Sequence, residues 1–408
     1  MSTDDAPASD APPNSPRPRL GRDVVVLGVI AFFVMLGFGV VVPVLPVFVR
    51  RFGADGFQVG AVVSAFALVR FAASPLCGRL VRRGGERTVL AAGIGIVAVS
   101  SVLVGVAQSY AQVLVLRAVG GVGSAMFSVS AMTLLLGTTP VALRGRAVGF
   151  YQGGFLVGGM AGPAVGGVLA LVSLRAPFFF YGGTLVVAGL VGLLFLHPSP
   201  PGDRATEGPQ ARPWREVARD VRFRAACLAN LAQGWAGMGA RSALVPLVVV
   251  EVLHRDTAWS GIAFAVAAVV QTAMLGPAGT YVDRVGRRSA IVAACAVGAV
   301  ALLGLAFAPN IGVLIALLCV YGVCAAFIGT APAALVGDVA GARSGEAVAV
   351  FSMFSDLGAI TGPLLAGWLA DVASFPVAFG SAAVVMLVAA AYARRIPRAP
   401  VTRPERGL

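Results

Sequence analysis

Twelve apolar runs, each long enough to cross a lipid bilayer as a helix, occupy most of the chain. A membrane-spanning helix needs about 20 predominantly apolar residues, and this requirement limits the fold more than any other feature of the sequence. The runs predict helices over 24–49, 57–79, 88–108, 111–136, 147–172, 176–196, 224–250, 258–282, 289–308, 311–334, 347–371 and 376–394. The expected fold class is an all-α integral membrane protein.

The composition favours lipid over water as the surrounding solvent. Of the 408 residues, 58% are hydrophobic and 12% are charged, and the mean hydropathy is +0.88. A soluble domain of this size could not keep so much apolar surface away from water. The net charge of +13 would suit nucleic acid, but the basic residues lie in short clusters between the apolar runs. We therefore expect the bilayer, and not nucleic acid, as a partner.

The widest interruption of the apolar runs, 197–223, is rich in proline, glycine and charge. This composition predicts a linker between two groups of six helices, with a short amphipathic helix at 213–222. The expected units are a disordered cytoplasmic N-terminus (1–22), an N-terminal six-helix bundle (23–196), a cytoplasmic linker (197–223), a C-terminal six-helix bundle (224–396) and a cytoplasmic tail (397–408).

Arginine is distributed unequally between the two sets of loops. If the N-terminus is cytoplasmic, 24 arginines lie in cytoplasmic segments and four, Arg50, Arg51, Arg175 and Arg255, lie outside. Basic residues accumulate on the cytoplasmic side of membrane proteins. Both termini are therefore expected in the cytoplasm, with the protein in the plasma membrane.

The two halves share short patterns at nearly constant spacing. The set Gly158, Gly162, Pro163 and Gly167 recurs 200 residues later as Gly358, Gly362, Pro363 and Gly367. The segment GRLVRRGGER at 78–87 recurs as GTYVDRVGRR at 279–288, at an offset of 201. Two pseudo-symmetric six-helix halves predict a transporter that rocks around a central site.

Four segments resemble motifs of the major facilitator superfamily, in particular its twelve-helix drug:proton antiporters. The segment 279–288 resembles the cytoplasmic signature, LRAVGGVGSAM at 116–126 resembles the fourth-span motif with Arg117 as its arginine, and LGFGVVVPVLP at 36–46 resembles the first span. The fifth span resembles the antiporter motif at Gly149, Gly158, Gly162, Pro163, Gly166 and Gly167. The resemblance implies secondary transport driven by a proton gradient, without a cofactor.

Glycine spacing suggests how the fifth span packs. Gly154, Gly158, Gly162 and Gly166 are four residues apart and form one smooth stripe, which lets a neighbouring backbone approach closely. Pro163 removes a backbone donor and can bend the helix. The resemblance implies that this span meets the eighth span of the other half and seals one side of a cavity, as in exporters. Small-residue packing without directional meaning is the alternative.

The two repeated loops are candidate gates. A tight turn needs glycine, which Gly85 and Gly286 supply. The resemblance implies that an acidic residue before the turn locks one conformation; Asp283 matches this position, whereas Arg82 occupies it in the first half, where Glu86 is an alternative partner. The alternative is that the arginines of these loops only set the orientation of the protein in the membrane and have no role in gating. The gating candidates are Gly78, Arg82, Gly85, Arg87, Gly279, Asp283, Arg284, Gly286, Arg287 and Arg288.

Four charged residues lie well inside predicted spans, away from their ends, where ionisable groups are costly and therefore candidates for function. Asp356 is the acid nearest to mid-membrane and the candidate proton site; a packing hydrogen bond and a substrate contact are the alternatives. The resemblance assigns Arg117 to proton relay, in which it tunes a partner or holds an anion, and a structural arginine bonded to helix carbonyls is the alternative. Arg70 and Arg241 complete the set.

These charges predict the substrate class. Three arginines against one aspartate would give the cavity a positive potential that repels organic cations. We therefore expect a neutral or anionic amphiphile. Phe38, Tyr151, Phe155 and Trp235 are candidate cavity residues beside Arg70 and Arg241, although such aromatic residues also face lipid or neighbouring helices.

The sequence thus predicts a monomeric proton-coupled exporter of small molecules, with an uptake carrier on the same fold as the alternative. An enzyme or sensor has little support. The sequence has neither a phosphate-binding Gly-Lys-Ser/Thr loop nor a metal-ligand cluster, and its two histidines, His197 and His254, lie at span ends.

Overall fold

The computed structural model of the chain describes residues 21–140, 143–196, 214–340 and 345–397. Within these ranges it contains twelve helices that are long and apolar enough to cross a membrane, as predicted. We number them α1 (Arg22–Val41), α2 (Gly56–Gly84), α3 (Glu86–Val106), α4 (Tyr110–Thr138), α5 (Arg144–Val172), α6 (Ala176–Phe195), α7 (Val221–Val252), α8 (Ala258–Val285), α9 (Arg287–Leu305), α10 (Ile311–Ala340), α11 (Gly345–Val372) and α12 (Phe375–Ala393).

Several predicted segments lie wholly or mostly outside the described residues: the disordered N-terminus, most of the linker, and the tail. The described part of the linker contains a short helix, Trp214–Arg219, where an amphipathic helix over 213–222 was expected. This helix ends earlier than predicted because Asp220 begins α7, its carboxylate accepting a hydrogen bond of 2.8 Å from the backbone N–H of Arg222.

The first span is shorter than the predicted helix over 24–49. Helix α1 ends at Val41, and a separate short helix, Leu45–Arg50, follows. Pro43 and Pro46 lie at this break, and proline interrupts a helix because it lacks a backbone donor and its ring clashes with the preceding turn. The break places Arg50 beside the second half of the molecule.

Helix α7 contains π-helical turns, which the sequence analysis did not predict. The segments Trp235–Leu244 and Val248–Val252 are π-helical. Pro246 cannot donate a backbone hydrogen bond to the preceding turn, and the Ser242 hydroxyl donates 2.8 Å to the Gly237 carbonyl, five residues earlier. Because π-turns often mark functional sites in helices, the position of Arg241 within this stretch is notable.

Each half has its own apolar core. Ile30, Leu90 and Leu134 are fully buried in the first half, and Leu302 and Tyr321 in the second. Large apolar side chains also cover the outer surface, among them Val99, Leu171, Leu194, Val300 and Val384, all more than half exposed. Water-soluble proteins rarely expose so much apolar surface. The chain is an integral membrane protein.

The halves meet along two related helix pairs, α2 with α11 and α5 with α8. Gly60 of α2 lies against the Pro363 carbonyl of α11, and Gly261 of α8 lies against the Pro163 carbonyl of α5. A Cβ at either glycine would collide with that carbonyl. The two glycines are 201 residues apart and the two prolines 200, so the sequence repeat is also a repeat of the interface.

The glycine stripe of α5 packs against α1 of its own half, while other residues of α5 meet α8 of the other half, as expected. Gly154, Gly158, Gly162 and Gly166 all lie against the backbone of α1. Pro163 and Gly167 do contact α8, at Gly261 and Ala258, whereas Gly149 has open space around it. Consecutive residues of a helix point about 100° apart, so one small-residue segment serves two neighbours.

Candidate functional site

A cavity of about 410 Å³ lies between the two halves. Its volume is typical of a site for a drug-sized molecule. The walls come from α1, α2, α4, α5, α6, α7 and α11, and apolar side chains form most of them. The polar side chains that line it are Arg70, Ser124, Ser128, Gln233, Arg241, Ser355 and Asp356. The cavity is therefore an apolar chamber with a small polar set.

Arg70 and Asp356 form an ion pair across this cavity. The Nη2 atom of Arg70 on α2 lies 2.5 Å from Oδ1 of Asp356 on α11, so the pair joins the two halves. Both residues lie near the middle of their helices, and both side chains are partly exposed to the cavity. The strength of this charge-assisted hydrogen bond depends on the negative charge of the carboxylate. The contact between the halves at this point therefore depends on the same charge.

Arg241 is the second arginine of the cavity, and it carries no carboxylate partner among the described residues. Its guanidinium carbon lies 5.8 Å and 5.9 Å from the ring centroids of Phe264 and Tyr321. These distances suit cation–π attraction. Because the charges of Arg70 and Asp356 offset each other, the described lining of the cavity carries one net positive charge, at Arg241.

Arg117 does not line the cavity, so the prediction of three arginines against one aspartate there is wrong. The Arg117 side chain is buried between α4 and its neighbours, and its guanidinium carbon lies 4.5 Å from the centroid of the Phe66 ring. No hydrogen bond to a helix carbonyl holds it within the described ranges, so the structural alternative is also unsupported. Sequence could not show this, because it does not fix the rotation of α4.

Two of the four predicted aromatic residues line the cavity. Phe38 and Phe155 do so, whereas Tyr151 is buried behind Phe155, with ring centroids 5.0 Å apart. The backbone of Trp235 lies against Gly362 on α11, and its side chain packs against the core of the second half and is not part of the cavity lining.

Sequence reasoning missed several cavity residues. Phe66 and Tyr181 line the wall, together with Ser124 and Ser128 of α4. The two serines are four residues apart and share one helix face, a signal that polar residues in an apolar span can give. Phe66 precedes Arg70 by four residues and was identifiable in the same way, whereas nothing in the sequence marks Tyr181.

We call the face of the molecule at which α1 begins and α12 ends the terminal face, and the opposite face the distal face. At the distal face, Nε of Arg50 lies 2.9 Å from Oε1 of Glu251, and its Nη2 lies 3.9 Å from Oδ1 of Asp371. Arg50 belongs to the first half and both acids to the second. The distribution of arginine marked Arg50 only as an outside residue, yet these three charges together tie the halves at this face.

Asp371 also caps a helix of the other half. Its two carboxylate oxygens each accept a 2.8 Å hydrogen bond, from the backbone N–H groups of Gly56 and Phe57 at the start of α2. Carboxylates stabilise helix N-termini because the first N–H groups of a helix lack partners. The distal face is therefore closed by hydrogen bonds as well as by charge.

The contacts between α2 and α11 stop at mid-helix. From the distal face they run through the Ser64 hydroxyl, which donates 2.6 Å to the Ile360 carbonyl, to the Arg70–Asp356 pair. Nearer the terminal face, Leu80 is 44% exposed and Val348 is 55% exposed. The contacts between α2 and α11 thus seal the cavity distally, and the exposure of these two side chains supports an opening toward the terminal face.

The two candidate gating loops turn at glycine as expected. Gly85 has φ 77° and Gly286 has φ 110°, in the left-handed region that other residues rarely adopt. The side chains of Arg82 and Asp283 lie outside the described part of the structure, so the lock expected at Asp283 stays a prediction. The other two glycines of the set, Gly78 and Gly279, lie inside α2 and α8.

The arginines near these turns bind within their own halves. Arg87 donates to the Leu193 carbonyl at the end of α6, and Arg287 forms an ion pair with Asp338 of α10. Within the described ranges, no ion pair involves Glu86, Arg284 or Arg288. The contacts of Arg87 and Arg287 therefore stabilise each half separately and do not join the two halves.

Comparison with known families gives one match to nearly the whole chain. The sequence model of the Major Facilitator Superfamily matches residues 27–311 and 256–407. Among solved structures, a bacterial homologue of the human lysosomal transporter Spinster, in an inward-facing and unoccupied conformation, superposes with a TM-score of 0.77. That match covers 91% of this chain and 95% of the other at 17% identity, so it shows a shared fold.

Two curated relatives match part of the chain. Quinolone resistance protein NorA of Staphylococcus aureus is 29% identical over 178 residues, which are 44% of this chain and 46% of that protein. Multidrug resistance protein 1 of Bacillus subtilis is 30% identical over 165 residues, which are 40% of this chain and 42% of that protein. The matched regions span less than half the length of each relative.

Proposed function

The chain belongs to the major facilitator superfamily, and we propose that it is a proton-coupled exporter of small amphiphilic compounds that are neutral or anionic. Membership makes it a transporter in the membrane and not an enzyme. The observation that carries the proposal is the Arg70–Asp356 ion pair, which joins the halves inside the cavity. It provides one titratable group whose charge state affects the contact between the halves.

The orientation follows from the distribution of arginine. The excess of arginine in the loops of the terminal face supports a cytoplasmic position for that face. The cavity is then open to the cytoplasm and sealed on the outside by Arg50, Glu251 and Asp371. In this state a compound enters the cavity from the cytoplasm, which is the first step of export.

The coupling proceeds through Asp356. While its carboxylate is charged, it holds Arg70 and the cavity opens to the cytoplasm. After the halves rock and the pair separates, a proton from outside neutralises Asp356 and the cavity returns to the cytoplasm, where release of the proton restores the charge-assisted bond to Arg70. Arg70 stays charged throughout, since a guanidinium does not titrate near neutral pH. The proton gradient thereby drives export without a cofactor.

The cargo class follows from the charge on Arg241. With Arg70 and Asp356 paired, one positive charge faces an apolar chamber, which favours neutral and anionic amphiphiles over permanent cations. The names of the two curated relatives, which refer to quinolone and multidrug resistance, support drug-sized compounds as cargo. The contact of Pro163 and Gly167 with α8 supports the antiporter interpretation of that motif.

Flux measurements in proteoliposomes test the direction and the cargo. The purified protein is reconstituted, pH gradients of either sign are imposed, and the flux of matched anionic, neutral and permanently cationic amphiphiles is recorded. We expect cargo to move toward the more acidic compartment, with the cation transported least. Movement of cargo and protons in the same direction would instead establish an uptake carrier, and preferred transport of the cation would refute the cargo class.

A further inference from the structure

Arg117 is a buried charge without a counter-charge. It is 7% exposed, and its Nε atom is fully enclosed without a hydrogen-bond partner among the described residues. None of the ion pairs within the described ranges includes it, and Asp356, the acid nearest to mid-membrane, is held by Arg70. A buried charge is costly unless a partner compensates it, and the ring of Phe66 offers only a weak attraction.

A small void adjoins the guanidinium group. Its volume is about 10 Å³, and Phe66, Ser101, Arg117 and Tyr181 are among the residues that line it. A void of this size accommodates about one water-sized particle. It is therefore too small for an organic acid, but sufficient for a water molecule or a small inorganic ion with a slight shift of the Phe66 ring.

The groups around the void can donate hydrogen bonds and carry a positive charge. The hydroxyls of Ser101 and Tyr181 have no hydrogen-bond partner in the described structure, and every N–H of a guanidinium is a donor. A water molecule would satisfy these donors but would leave the charge of Arg117 uncompensated. An anion satisfies the donors and compensates the charge together.

We propose that Arg117, Ser101 and Tyr181 form a binding site for one chloride-sized inorganic anion inside the N-terminal bundle. The rings of Phe66 and Tyr181 line both this void and the central cavity, so they form the wall through which the anion enters. The site does not depend on the direction of transport or on the cargo. With the anion bound, Arg241 remains the uncompensated charge that faces the cavity.

Thermal unfolding of the purified full chain tests the site. Unfolding temperatures are measured in sodium gluconate and in mixtures with sodium chloride, bromide or acetate at constant ionic strength. A ligand that binds the folded state raises the unfolding temperature, and above its Kd the rise grows with the logarithm of the ligand concentration. We expect a rise that increases with the concentration of chloride or bromide, its loss in Arg117→Gln, and its retention in Arg241→Gln, the matched control in the cavity.

A second pair of variants covers the case in which Arg117→Gln fails to fold. Ser101→Ala and Tyr181→Phe keep the charge and remove one donor each, and we expect each to weaken halide affinity by about tenfold. In crystals grown with bromide, the anomalous signal should place one ion beside the Arg117 guanidinium. Equal unfolding temperatures in gluconate, chloride and bromide would overturn the proposal, as would a shift produced by acetate alone or a halide shift that Ser101→Ala and Tyr181→Phe leave unchanged.

Discussion

The carboxylate of Asp371, in the last turn of α11, accepts a 2.8 Å hydrogen bond from the backbone N–H of Gly56, the first residue of α2. One half of the protein therefore caps a helix of the other. Because this cap exists only while the distal face is closed, its energy contributes directly to the balance between the two states of the transporter. Removing it should shift that balance without altering the cavity.

Asp371→Ala should open the distal face more often. Loss of a helix cap costs about 1 kcal/mol, which changes a two-state ratio by a factor of about 5. Ser64 is buried in the closed contact, so S64C reports on opening. We expect an impermeant thiol reagent added from outside to label S64C severalfold faster when Asp371→Ala is present. Asp256→Ala, at an exposed acid near the start of α8, is the control, and equal labelling rates in both variants would contradict the role of the cap.

Gly60→Ala should impair transport, because the added methyl group collides with the Pro363 carbonyl across the interface. Gly276→Ala is the matched control, since Gly276 lies in α8 with open space around it. In a helix interior alanine is favoured over glycine by about 1 kcal/mol, so propensity alone predicts that both changes stabilise the fold. Transport rates normalised to folded protein in the membrane should fall for Gly60→Ala only, and equal rates would refute close packing as the basis of distal closure.

Arg241→Glu should reverse the charge preference of the cavity. The substitution converts one net positive charge into one net negative charge, because Arg70 and Asp356 still offset each other. The ratio of anionic to cationic cargo transported should fall by at least about tenfold, a change that modest electrostatic energies near a protein surface can produce. Arg255→Glu, in the distal loop, tests whether surface charge alone has this effect. An unchanged ratio in Arg241→Glu would remove the basis for the cargo class.

Phe38→Ala should weaken binding of an apolar cargo, whereas Tyr151→Phe should not. Phe38 lines the cavity, whereas Tyr151 lies behind Phe155 and outside the cavity lining. Loss of a buried phenyl contact costs about 1.5–3 kcal/mol, so the KM for cargo should rise by about tenfold or more. Competition assays with one fluorescent amphiphile compare the two variants. A larger effect of Tyr151→Phe than of Phe38→Ala would contradict this assignment, because it would place Tyr151 and not Phe38 in contact with the cargo.

The twelve helices were predictable because a helix that crosses the bilayer needs a long apolar run. The interruption at 197–223 was equally easy to recognise from its composition. Arg70 and Asp356 were each identified as intramembrane charges, but their pairing was not. They are 286 residues apart, and only the packing of α2 on α11 brings them together. Sequence marks a costly buried charge but does not reveal which helix faces it.

The errors share one physical cause, the rotation of each helix about its axis. The sequence identified the glycine stripe of α5 as a close-packing surface but did not show that this stripe faces α1, while Pro163 and Gly167 of the same helix contact α8. Arg117 was assigned to the cavity but points into its own bundle. Arg50 was counted only for topology, because nothing in a distal loop indicates that Glu251 lies beside it.

Proton flux that accompanies cargo export tests the role of Asp356 most directly. Wild-type protein and Asp356→Asn are reconstituted in vesicles that contain a pH-sensitive dye, and cargo movement and proton movement are recorded together without an imposed pH gradient. The account predicts that wild-type protein moves protons opposite to the cargo, while Asp356→Asn exchanges cargo down its own gradient with no accompanying protons. Unchanged proton movement per cargo molecule in Asp356→Asn would contradict the account.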